Sequence, residues 1–420
     1  MWKRIRLNFL AGFTQHRRLR LRAWHKTAAA CGLQIIKASV LDPRLTARAG
    51  PVEVRFEPCE SQGKSTRITV SAPGLSDFSS VSIRREPAFR RARYLKTGDS
   101  AFDRTFFLEG PERLVLAMLD AKMRHLLDRV NVESRLEIST GLLQAELSDE
   151  KVPHVLPLLL EIGRRFAGPM DVPRRLAENA TLDPRTRVRL HNLLLLSREL
   201  PEAPETLSTL RTALSDPSLE IQLRAAEGLG AEGRNVLLDL AEGLLEDTVS
   251  AEAVSALGRE LPFERTRAIL ARALDKRRIQ TARACLEALG KSRDPAAVEV
   301  VAHVLELEQG ELAVAAVLAL EATGIPAAIL PLQEAAERSS NHPKLRRATR
   351  QAIAAIRYRL QDASHGQLSL ATTATGQLSL APEAGQLSLA TNPAGQLSLP
   401  PEEPKQPSRK ARKEPAVRRV

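Results

Sequence analysis

Apolar residues recur every three to four positions through most of the second half of the chain. Five times such a run ends on small residues, a leucine-type position, and glycine or its replacement. The endings read RAAEGLG at Arg224–Gly230, EAVSALG at Glu252–Gly258, ACLEALG at Ala284–Gly290, LALEATG at Leu318–Gly324 and QAIAAIR at Gln351–Arg357. Their last residues are 28, 32, 34 and 33 positions apart, the period of a stacked helix pair. Within a unit, a first helix carries apolar residues at helical spacing, as in Val236, Leu237, Leu240 and Leu244. A second helix, rich in Ala and Leu, closes at glycine, which supplies a left-handed cap. One such pair cannot bury both of its apolar faces, so the pattern predicts stacking.

Asp-Pro steps punctuate this half. Asp183-Pro184 and Asp216-Pro217 lie 33 residues apart, and the segments behind them align Leu190 with Leu223 and Leu196 with Leu229. Asp as an N-cap with Pro in the first turn predicts a helix start, and hence a sixth, more divergent unit. Asp294-Pro295 opens the first helix of its own unit, so the step is a reusable cap. The stretches DPSLEIQLRAAEGLG at Asp216–Gly230 and TARACLEALGKSRDPAAVEVVAHVLE at Thr281–Glu306 resemble the short bacterial HEAT repeats named for phycobilisome lyases. That resemblance implies an α-solenoid over residues 150–360. Its members act as scaffolds, adaptors, bilin lyases and DNA-alkylation glycosylases. The departures at Thr323 and at Ile356-Arg357 predict a drift toward a C-terminal capping helix.

The first third reads differently. QHRRLRLRAWHKTAAACGL, residues 15–33, predicts a helix with Leu21, Trp24, Ala28 and Cys31 in one stripe and Gly32 as its stop. Alternating segments at Val52–Phe56, Thr66–Ala72, Val81–Arg85, Arg104–Gly110 and Leu136–Thr140 predict strands, and helices are expected around Glu112–Val130. The expected unit is a small α+β domain over residues 15–148. TGDSAFDRTFFLEG at Thr97–Gly110, followed by MLDAKMRHLL at Met118–Leu127, resembles an uncharacterised bacterial domain that often precedes HEAT repeats. No activity comes with that resemblance. Ahead of it, residues 1–14 form a basic leader with Trp2, Ile5, Phe9 and Phe13 at helical spacing. Such a leader packs on its own domain or lies on an anionic membrane surface.

Charge narrows the function. The chain carries a net +12, unevenly placed. Residues 1–48 hold 11 Lys and Arg against one acid, residues 205–360 hold 20 against 22, and the last twenty hold 7 against 3. A solenoid that reads DNA needs a basic stripe, and the balanced middle argues against one. No stretch is apolar enough to span a membrane. LNFLAGF is too short for an export signal, so a cytoplasmic protein is expected.

Candidate chemistry is sparse. Cys31, Cys59 and Cys285 have no metal-ligand spacing and predict no disulfide framework. Cys285 occupies an Ala-like core position. The eight histidines, His16, His25, His125, His154, His191, His303, His342 and His365, never pair at ligand spacing. Gly98-Asp99 reads as a turn, and Asp103 as a cap or a partner of Arg104. Gly-Lys-Ser within Gln62–Thr66 lacks the earlier glycine of a phosphate loop, Pro58 standing there, and lies between strands. It predicts a hairpin. No catalytic, cofactor-binding or metal-binding residue is expected, and no cofactor.

Beyond Leu360 GQLSL occurs four times, at Gly366–Leu370, Gly376–Leu380, Gly385–Leu389 and Gly395–Leu399, before a basic, Pro-rich end. Two leucines per ten residues cannot build a core, so residues 361–420 predict a disordered tail. The candidate linear-motif residues are Gln367, Leu368, Leu370, Gln377, Leu378, Leu380, Gln386, Leu387, Leu389, Gln396, Leu397 and Leu399. QLSL resembles the bacterial sliding-clamp-binding peptide, but Ala371, Ala381, Ala390 and Pro400 stand where that peptide has a bulky apolar residue. The expected fold is mainly α, a HEAT-like solenoid behind a small α+β domain. The expected function is a non-enzymatic scaffold or adaptor with protein partners on the solenoid surface. The alternatives are a nucleic-acid-associated protein acting through basic termini or QLSL motifs, with anionic-membrane contact as a variant, and a lyase or glycosylase on a HEAT scaffold. Oligomeric state is left open.

Overall fold

Alternating apolar residues in the first third build one antiparallel sheet. The structure, a computed structural model, describes residues 2–39, 42–59, 64–85, 94–292, 294–338, 342–361, 368–370 and 378–380; the side chains of residues 2–14, 16, 361, 368–370 and 378–380 are outside that description. The strands are β1 (Gln34–Ser39), β2 (Arg44–Ala49), β3 (Val52–Cys59), β4 (Ser65–Ser71), β5 (Ser82–Arg85), β6 (Phe106–Glu109), β7 (Arg135–Ser139) and β8 (Leu142–Ser148). Their order is β1-β2-β3-β4-β8-β7-β5-β6. Val52, Val54 and Phe56 on β3, Ile68 and Val70 on β4, and Leu143, Ala145 and Leu147 on β8 face one buried side, the period-two pattern of a half-covered sheet. β1, β2 and β8 were not foreseen. QIIKAS and RLTARA carry too much charge and alanine to alternate clearly, and β1 is an exposed edge.

Helix α1 (Trp2–Ala30) is continuous through the basic leader. It lays Leu21, Trp24 and Ala28 into the core, and Trp24 Nε1 donates to Thr66 Oγ1 at 3.0 Å while its ring stacks on Phe56. A four-residue turn of helix, α2 (Phe102–Thr105), is followed by α3 (Glu112–Met118), α4 (Ala121–Glu133) and α5 (Val152–Arg164). The helices expected over Glu112–Val130 are α3 and α4, divided where Asp120 is extended and caps α4 by accepting from the Met123 amide. α5 lies inside the residues read from sequence as the solenoid, yet it packs on β3, β4 and β8. Gly163 makes this possible, since a Cβ there would meet Val52 and Val70 methyls at 2.9 Å.

From here the chain is helical. The helices are α6 (Val172–Leu182), α7 (Thr186–Glu199), α8 (Pro204–Ala213), α9 (Leu219–Leu229), α10 (Arg234–Glu242), α11 (Asp247–Leu257), α12 (Phe263–Asp275), α13 (Ile279–Ser292), α14 (Pro295–Leu307), α15 (Glu311–Thr323), α16 (Ile329–Arg338) and α17 (Pro343–Gln361). The first ten pack as five successive pairs, α6 on α7, α8 on α9, α10 on α11, α12 on α13 and α14 on α15. The second members pack in succession, α7 on α9, α9 on α11, α11 on α13 and α13 on α15. The glycine endings divide by role. Gly230 and Gly258 end α9 and α11 at positive φ, and Gly324 ends α15 in the left-handed region. Gly290 departs from expectation: it lies inside α13, where a Cβ would fall 2.8 Å from the Ala319 carbonyl oxygen of α15. It is small so that two backbones can meet, not so that a helix can end. QAIAAIR likewise lies within α17.

The sheet and the first helix pair share a buried seam. Leu116 and Ala117 of α3 pack with Leu176, Ala180, Leu193 and Leu196, and Asn179 Nδ2 donates to the Leu116 carbonyl at 2.9 Å. Arg124 of α4, only 4% exposed, grips Asp183, 1% exposed, with Nη1 and Nη2 at 3.0 and 3.1 Å. Of residues 357–420, the last turn of α17 and two short strands are described. β9 (Leu368–Leu370) and β10 (Leu378–Leu380) pair antiparallel, Leu368 opposite Leu380, where the sequence predicted no regular structure.

Candidate functional site

The turns inside the helix pairs are tied together by a polar ladder. Asp183 and Asp216 are not the N-caps that the Asp-Pro steps predict; the N-caps of α7 and α9 are Arg185 and Ser218. Each aspartate instead accepts from the amide two residues on, Arg185 and Ser218, both at 2.9 Å, an Asx turn that leaves other carboxylate lone pairs free. The preceding unit fills them: Arg124 for Asp183, and Arg189 for Asp216, the latter with Nε and Nη2 at 2.8 and 2.9 Å. Arg189 also donates to the Asp183 carbonyl at 2.9 Å, and Gln222, 33 residues later, donates to the Asp216 carbonyl at 2.7 Å. One pair further, Asp247 at the start of α11 accepts from the amides of Gln280 and Thr281 at 2.9 and 3.0 Å and from Thr281 Oγ1 at 2.7 Å. Burial pushes the Asp247 carboxyl up. The Thr281 and Gln280 hydrogen bonds and the Arg278 charge outweigh it, so the carboxyl titrates below its ordinary value. This ladder orders the layer but is largely buried, so it offers nothing to a partner.

The exposed face of the second helices is different in character. Aligned on their endings, Arg224, Glu252, Ala284, Leu318 and Gln351 occupy one column. Arg224 of α9 and Glu252 of α11 pair across the layer at 2.6 Å, and Arg224 also holds Glu227. Ion pairs satisfy that part of the face. At α13 the column is the buried Ala284, and at α15 it is the exposed, apolar Leu318. This helix, ELAVAAVLALEAT, is apolar almost all round, which suits a helix buried on every side. It buries Leu312, Ala313, Ala316, Val317, Ala319, Leu320 and Thr323. The remaining stripe, Glu311, Val314, Ala315 and Leu318, floors a groove of about 760 Å³ bounded by Arg283 of α13, by Gln309 and Gly310, and by His342, Pro343, Lys344 and Leu345 at the start of α17. Leu318 is 56% exposed there. Among the described residues neither Arg283 nor Lys344 has an acidic partner. The volume lies in the range of ligand-sized sites.

A smaller cavity of about 340 Å³, lined by Arg165, Met170, Asp171, Arg174, Arg175 and Glu178, has its charges matched internally. Arg165 and Arg175 pair with Asp120, and Arg174 and Arg175 with Glu178. It is part of the seam between sheet and helices.

The residues weighed for chemistry fall into structural places. Asp103 is buried and accepts from the Thr97 amide and hydroxyl, both at 2.8 Å, and from the Gly98 amide. It organises a turn and does not pair with Arg104. Asp99 meets Arg124 at 3.3 Å. Cys285 is buried in α13, and desolvation pushes its thiol up to about 12. The three thiols form no disulfide. Among the described residues no group of three or more His, Cys, Asp or Glu is placed to hold a metal ion, and no helix is long and apolar enough to cross a membrane. Gln62 and Gly63 of the Gly-Lys-Ser segment lie outside the described residues, between the paired strands β3 and β4.

Of the linear-motif candidates, Leu368, Leu370, Leu378 and Leu380 lie in β9 and β10. Gln367, Gln377, Gln386, Leu387, Leu389, Gln396, Leu397 and Leu399 lie outside the described residues. The groove lining was missed from sequence. The signal was present, an apolar residue at Leu318 in a column that holds Arg224 and Glu252. No protein-family model matches the chain, and no curated protein matches it.

Proposed function

We propose that this protein is a non-enzymatic interaction scaffold, a HEAT-type solenoid that binds a protein partner on the exposed face of its second helices. The observation that carries this reading is the unpartnered stripe of α15, with Leu318 exposed on the floor of a groove. Solvent-facing apolar area gathered in one concavity favours association. The helix-pair period, the succession of packed second helices and the Arg189–Asp216 link support the solenoid.

The test is affinity capture with the full chain and its Leu318→Glu variant at low and moderate salt. The scaffold reading expects a partner retained in moderate salt and lost with Leu318→Glu. Capture that vanishes in moderate salt and ignores Leu318 overturns it in favour of electrostatic, nucleic-acid-type binding.

A further inference from the structure

We infer that the groove between α13, α15 and α17 receives a short acidic peptide segment that inserts an apolar side chain over Leu318. The inference rests on the scaffold reading and names the chemistry of its partner. The floor is aliphatic: Val314, Ala315 and Leu318 share one stripe, and Leu345 closes the far side. The volume, about 760 Å³, takes several side chains and not a folded domain, so the occupant is a segment.

The rim sets its charge. α17 contains Lys344, Arg346, Arg347, Arg350, Arg357 and Arg359 and no acid. The near balance of residues 205–360 conceals this helix, because the acids that offset it lie on other elements. Lys344 stands on the rim and Arg347 and Arg350 continue along the exposed side of the same helix. Arg283 adds a cation from α13, and Glu311 is the only acid lining the groove among the described residues. An acidic segment therefore meets Lys344, Arg347 and Arg350, its apolar anchor over Leu318, with its acids directed away from Glu311. Charge of this kind steers encounter and fixes register, while the apolar anchor supplies affinity. A single-stranded nucleic acid fits less well. The groove lining holds no aromatic ring on which a base can stack, and phosphates gain nothing from an aliphatic floor.

The experiment pans a random-peptide phage library over the full chain and measures the enriched peptides against three proteins: wild type, Leu318→Glu, and Lys344→Glu/Arg347→Glu. All the substituted side chains lie at the surface, and thermal melts confirm folding. The expected result is enrichment of acidic sequences with one or two large apolar residues, and a loss of at least about tenfold in affinity with either variant. Enriched peptides that lack acids, or that bind both variants as well as wild type, overturn the inference. So does an oligothymidylate probe that binds wild type and competes with the peptides. The scaffold reading has its own failure: the absence of any Leu318-dependent partner in capture.

Discussion

Arg189 holds both carboxylate oxygens of Asp216, Nε to Oδ2 at 2.8 Å and Nη2 to Oδ1 at 2.9 Å, across 27 positions of the chain. Both side chains are less than a tenth exposed. Removing one partner strands the other, so Arg189→Ala or Asp216→Ala costs about 3–5 kcal/mol. The double variant loses less than the two single losses combined, by about 0.5–3 kcal/mol. Chemical denaturation of the four proteins measures both quantities.

Asp247 links two helix pairs by capping α13 from the start of α11. Asp247→Ala costs about 1 kcal/mol, the usual worth of a cap, and speeds amide exchange at Gln280 and Thr281. The native carboxyl titrates low, so its stabilisation is complete above the unfolded value near ~3.9 and is lost as pH falls through the native value. The gap between wild type and Asp247→Ala therefore closes in acid. Melts from neutral pH downward follow it.

Asp128 behaves oppositely. Burial, and next the negative charge of Asp99, push its carboxyl up, against smaller opposing effects of His125 and Arg124. The folded chain holds this proton more tightly than the unfolded chain does. The native state thus loses stability as pH rises from the unfolded carboxyl value through the raised one. Asp128→Asn removes that loss. It melts above wild type at neutral pH, and the two converge in acid.

Gly290 brings α13 onto α15. A Cβ at this position approaches Ala319 O at 2.8 Å and Ala319 Cα at 2.9 Å, backbone atoms that cannot rotate away. Gly290→Ala therefore destabilises by about 1–3 kcal/mol, despite alanine's better helix propensity. Alanine at a helix-ending glycine with open space around it, Gly230, leaves this packing intact and pays only for its positive φ. Denaturation midpoints of the two variants, together with exchange along α13 and α15, separate packing from backbone strain.

Local signals carried the parts of this fold that depend on local residues. The small-residue endings located α9, α11, α13 and α15, the stripe of Leu21, Trp24 and Ala28 located the buried side of α1, and alternation located β3 and β4. What escaped depends on distant groups. The Asp183 carboxylate looks like a cap until Arg124, 59 residues earlier, is seen to use it. Gly290 matches the other endings in text, and only the Ala319 backbone shows why it differs. α5 carries a helical stripe like the helices that follow, and the sheet beneath it decides where it belongs. The groove was half legible: the Leu318 column was visible, whereas the approach of the start of α17 was not.

The seam between the sheet and α6 gives the helical layer a direction. At that end Arg124, Asn179 and the Leu116 cluster bury the first pair against a sheet. At the other, α16 buries only Leu332 and Ala335. Local opening follows the weaker end, so amide exchange runs fastest in α16 and slows toward α6. The groove floored by α15 lies beside that yielding end. A segment seated there would act as a latch, its arrival registering first as slowed exchange in α16 and the start of α17, well before the global unfolding midpoint moves.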